Sequence, residues 1–98
     1  MKGLLYESGD MVVGSFSYKS HQNLAVGSSA ATSTAIDSTE VLLSLTVAAH
    51  VAIGATATTA SMALPAGVWP IRIEKGQTIS VLKLTGSVDG QASVIIPR

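Results

Sequence analysis

The chain has 98 residues, of which 47% are hydrophobic and only 12% charged, with six basic and six acidic side chains and a formal charge of zero. The charges are scattered, which argues against the clustered Lys/Arg that nucleic-acid binding needs. The absence of cysteine excludes a disulfide scaffold, a thiolate nucleophile and Cys-based zinc sites, and fits folding in a reducing cytoplasm. A domain this small buries only about 60–65% of its unfolded surface. So apolar a chain, with half the usual share of charge (about 25% in soluble domains), is expected to leave dry surface for other chains to cover.

Residues 1–10, MKGLLYESGD, read as an N-terminal arm or edge segment, and 11–98 as a single β-domain. No signal peptide is expected, because Glu7 and Asp10 interrupt the segment before an apolar run develops. Leu4, Leu5 and Tyr6 lack an alternating pattern and are candidate contact residues, laid across a neighbouring subunit or forming a first edge strand. Met11–Tyr18 reads as a strand with Val12, Phe16 and Tyr18 on one face, and Asn23–Val26 as a short one.

Residues 28–40 and 55–63, rich in Ala, Ser and Thr, are expected to be extended or arched. Between them, Val41, Leu43, Leu45 and Val47 alternate with Leu42, Ser44 and Thr46, the period of a half-buried strand. A short link at Ala48-Ala49 leads to His50–Gly54, and the two segments together predict a hairpin. Ile71 and Ile73 flank Arg72 in a further strand after Pro70. Gly76 turns the chain into Thr78–Thr85, whose apolar phase changes from Ile79 and Val81 to Leu82 and Leu84. Such a change predicts burial on both faces or a bulge. A turn over Gly86–Gly90 precedes a last strand, Ala92–Ile96. No window sustains helical spacing, so the expected fold is all-β: a small β-sandwich or jelly-roll/Greek-key of seven to eight short antiparallel strands.

LAVGSSAATSTAID at 24–37 aligns without gaps with VAIGATATTASMAL at 51–64. Each half is a β-run ending in glycine, where φ > 0 is tolerated, followed by a long small-residue stretch suited to crossing between sheets. A duplication of this kind favours Greek-key or jelly-roll pairing.

Signals for chemistry are sparse. His21 and His50 stand far apart in the chain, without the short ligand spacing of metal sites, so neither a metal nor a cofactor is expected. There is no G-x-S-x-G elbow and no phosphate-binding glycine motif, and the acidic residues stand singly. Only a triad assembled in space, from Ser44, His50 and Asp89, would rescue a hydrolase reading, and the chain is expected not to be an enzyme. The stretch 41–71 carries no Asp, Glu, Lys or Arg, yet His50, Gly54 and Pro65 and the strand-like alternation argue against a membrane span. Trp69, in GVWPI, suits a core end, a protein interface or a sugar-stacking platform.

The succession HVAIGATATTASMALPAG, VWPIRIEKGQTISVLKL and, after a glycine-containing turn, ASVIIP resembles small all-β virion proteins of tailed bacteriophages, over roughly the second half of the chain. The resemblance rests on Val51–Gly54, Thr58–Gly67 and Ile71–Ile96 and brings no catalytic residue with it. It implies a capsid decoration or cement protein, found in the virion after assembly in the host cytoplasm. Such a protein would be a homo-oligomer, trimer favoured, and would bridge subunits of the major capsid protein. The resemblance does not reach the first 20 residues; Leu4, Leu5, Tyr6 and Trp69 are the contact residues expected from the sequence itself. Two other readings follow: a receptor- or carbohydrate-binding module of a tail or head fibre, stacking on Trp69, Tyr18 or His50, and a head–tail or tail accessory protein.

Overall fold

A computed structural model describes residues 18–97. They form eight strands and no helix: β1 (Tyr18–Val26), β2 (Ala31–Thr32), β3 (Glu40–Leu45), β4 (Ala49–Ile53), β5 (Met62–Leu64), β6 (Gly67–Arg72), β7 (Ile79–Lys83) and β8 (Gly90–Pro97). Two four-stranded sheets result, sheet A in the order β1-β8-β3-β6 and sheet B in the order β2-β7-β4-β5. Every pairing is antiparallel.

The order has a simple origin. β1 pairs with β8, β2 with β7, β3 with β6 and β4 with β5, so the chain is one long hairpin folded at its middle. Rolling that hairpin adds the lateral contacts β8–β3 and β7–β4 and splits the ribbon into two stacked sheets. This is the jelly-roll arrangement, a form of β-sandwich.

Alternation decides which side of each strand faces inward. Val41, Leu43 and Leu45 of β3, Ala92, Val94 and Ile96 of β8, and Leu24 and Val26 of β1 meet Ala49, Val51, Ile79 and Val81 of sheet B. Ile36 and Ile73, from connecting segments, close the core. At about 25 cal/mol per Å² of apolar area, each fully buried Val, Leu or Ile contributes about 1.5–3 kcal/mol.

Several sequence expectations change. Residues 41–47 and 50–54 do not form a hairpin: β3 lies in sheet A and β4 in sheet B. Both strands carry a one-sided apolar face, and two such faces bury each other best by stacking across a corner. Thr46 makes that corner, its N–H donating to Gln91 O and its Oγ1 accepting from Gln91 N–H. The Asn23–Val26 strand is the end of a longer β1, with a register shift between Tyr18 and Ser20. The Met11–Tyr18 strand, apart from Tyr18, falls outside the described residues.

β6 begins at Gly67 and runs through Pro70 rather than starting after it. It is an edge strand, where a proline nitrogen can face away from the ladder. The phase change in β7 is burial on both faces: Ile79 and Val81 point inward, and Ser80, also buried, points outward beneath the 54–61 arch.

The two halves of the internal alignment are not equivalent. After Gly27 the chain crosses from sheet A to β2 of sheet B, whereas after Gly54 it stays within sheet B, joining β4 to β5. Gly54 takes φ +76°, while Gly27 is outside that region.

Candidate functional site

The two outer faces of the sandwich differ. On sheet B, the arch 54–61 folds back over the outward side chains. Ala57 is buried, and its N–H donates to Ser80 Oγ. Thr32 Oγ1 donates to the same hydroxyl. The far end of the arch is tied by His50, whose Nδ1 lies 2.9 Å from Ser61 O. A carbonyl oxygen only accepts, so Nδ1 carries the proton.

Sheet A has no such cover among the described residues. Register places Ile95 of β8, Leu42 of β3 and Pro70 of β6 in one row across its outer face, with Ser93, Ser44 and Val68 in the next. Leu42 and Ile95 are half-buried, Pro70 is exposed, and Val68 is 59% exposed. At one end of this face, Glu40, Val41, Leu42, Pro70, Ile71, Arg72 and Pro97 line a cleft of about 420 Å³. Arg72 Nη2 lies 3.1 Å from Glu40 Oε2, an exposed pair at the rim. Its floor is apolar and its rim carries one charge of each sign.

The remaining candidates are dispersed. Ser44 lies on the outer face of sheet A and His50 on that of sheet B, while Asp89 accepts from Lys83 Nζ at 2.9 Å. The three share no site, and the Ser44–His50–Asp89 triad does not form. Among the described residues no group of three or more His, Asp or Glu is placed to hold a metal ion. No helix among them is long and apolar enough to cross a membrane.

Trp69 packs against the core opposite Leu43, and its indole N–H donates to Pro65 O at 2.8 Å. Its ring therefore faces inward on sheet A, while His50 faces outward on sheet B, so the two make no common stacking platform. Leu4, Leu5 and Tyr6 lie outside the described residues. Sequence reasoning passed over the row Leu42–Ile95–Pro70, although Leu42 is the one large apolar residue on the polar side of the 41–47 alternation.

Known proteins add no label to this geometry. The chain matches no protein family, no curated protein and no solved structure.

Proposed function

We propose that this chain is a structural, non-catalytic module that works by packing against copies of itself and a larger assembly, in the manner of phage capsid decoration proteins. The observation that carries the reading is the outer face of sheet A, where an apolar row and cleft have no cover among the described residues, while sheet B is covered by its own arch. Large contiguous apolar surface marks interaction sites, and this face sets exposed Pro70 and Val68 beside half-buried Leu42 and Ile95. Low charge density and zero net charge favour association. The jelly-roll order supports the class, since capsid domains use that architecture, but fold alone does not assign function. The virion assignment itself rests on the sequence resemblance.

In such an assembly each copy needs only a weak contact, because many copies on one lattice act together. The test has two parts. Sedimentation velocity should show a homo-oligomer, and the protein should co-purify with empty, tail-less capsids from cells that produce them. A stable monomer that leaves capsids bare would refute the proposal. A specific hit on a glycan array would favour the receptor-binding reading instead.

A further inference from the structure

We infer that the cleft on the outer face of sheet A receives the 84–89 loop of a second copy of this chain, with Val88 on the apolar floor and Asp89 against Arg72 at the rim. The inference rests on the association reading above and gives it a donor and an acceptor. The acceptor has a floor of Leu42, Pro70, Ile71 and Pro97, a volume of about 420 Å³ and the exposed Glu40–Arg72 pair beside it.

Exposure and charge pick out the donor. Among the described residues the exposed large hydrophobic side chains are Met62, Val68 and Val88, and Val88 is the most exposed, at 69%. Val68 stands on the acceptor face itself, and Met62 has only Ser61 and Ala63 beside it in sequence. Val88 alone is followed by a charged residue, Asp89, whose side chain is 76% exposed. The loop thus joins an apolar tip to a carboxylate, and the cleft joins an apolar floor to a guanidinium, whose fork of donors suits a carboxylate. Docking sets the four charges in the alternating order Lys83, Asp89, Arg72, Glu40. The loop is also held in shape: Ser87 N–H donates to Leu84 O and Lys83 Nζ to Asp89 Oδ1. Little ordering entropy is then lost on docking.

Distance excludes the molecule's own cleft. The loop enters β8 at Gly90, and the cleft lies at Pro97, the far end of the same strand, about 24 Å away at about 3.4 Å per residue. Val88 stands two residues before Gly90, at most about 7 Å from it. A loop at one end and a cleft at the other join copies head to tail. Such a heterologous contact closes into a ring when the rotation permits and otherwise grows as a filament.

The lack of native cysteine makes the test direct. Full-length Val88→Cys and Pro70→Cys variants are mixed and oxidised, with Val88→Cys plus Thr59→Cys, on the exposed arch over sheet B, as the control. The first mixture should give heterodisulfide dimers in roughly tenfold excess over the control, as expected from the effective concentration of docked partners. Equal yields in the two mixtures overturn the inference. So does a Val88→Cys/Pro70→Cys double variant that closes its disulfide within one chain instead of forming linked multimers. Charge reversal gives a second arm: Arg72→Asp and Asp89→Arg should each lower the sedimenting mass, and mixing the two variants should restore it, because every loop then finds a complementary rim. No recovery on mixing counts against the inference. Sedimentation of the unmodified chain separates the two ideas. An oligomer without the Val88–Pro70 cross-link defeats this inference alone, and a monomer without it defeats the association reading as well.

Discussion

At the scale of single residues, the sandwich is most sensitive where backbone and side chains meet with no room to spare. A Cβ built at Gly90 would sit 2.5 Å from Val47 Cγ2 and 2.6 Å from Thr46 Oγ1. Both belong to the β3–β4 corner, which is itself tied to Gln91. Gly90→Ala should therefore push the corner away from β8 and destabilise the protein by about 1–3 kcal/mol, the usual cost of overpacking. Chemical denaturation would show it as a lower midpoint with an unchanged slope. Ser80 is sensitive for a different reason. Its hydroxyl accepts from the buried Ala57 N–H and from Thr32 Oγ1. Ser80→Ala leaves that amide without a partner and should cost about 1–3 kcal/mol, and Ser80→Thr, which keeps the hydroxyl, should lose less.

At the scale of elements, what the sequence reveals depends on how local the determining physics is. Alternation in 41–45 and 92–96 announces β3 and β8, because a strand with one buried face must repeat every two residues. Which strands pair is another matter. β3 followed by a short link and β4 looks like a hairpin in one dimension, and only the competition for the core shows that the two faces stack instead. The arches carry little pattern at all. Residues 33–36 run beside 76–79 through Ser33–Ile79 and Ile36–Gln77 backbone bonds, set by a partner far downstream in the chain. The uncovered face was half visible: Leu42 interrupts a polar side, but its alignment with Ile95 and Pro70 needs the register. For the 54–61 arch, His50 is the tie that can be tested alone. His50→Ala removes the bond to Ser61 O and should cost about 1 kcal/mol. Hydrogen exchange should then speed up about five-fold at Ala57, with Val51 and Val81 changing much less if the arch opens separately from sheet B.

At the scale of the whole molecule, the rolled hairpin makes folding depend on the last strand to appear. β8 lies between β1 and β3 in sheet A, and its partner β1 is the first described strand of the chain. The shortest-range pairing in either sheet is β4–β5, which joins a five-residue strand to a three-residue one. Such a hairpin is marginal by itself. Little local structure can therefore form first, and most of the loop-closure entropy has to be lost before the core compensates for it. All-β domains dominated by distant pairings fold in about milliseconds to seconds, and this one belongs with them. Two of the ion pairs will not help: Glu40–Arg72 and Asp37–Lys75 are more than half exposed, and surface pairs contribute about 0–1 kcal/mol. The decisive experiment removes β8. A chain ending at Asp89 loses Ala92, Val94 and Ile96 from the core and leaves β1 without a ladder in sheet A. It should be unfolded by circular dichroism, and a synthetic peptide of residues 90–98 added in excess should restore β signal with second-order kinetics. If the truncated chain instead held native far-ultraviolet signal and a cooperative melt, sheet B would be a folding unit of its own, and the dependence of this sandwich on its C-terminal strand would be wrong.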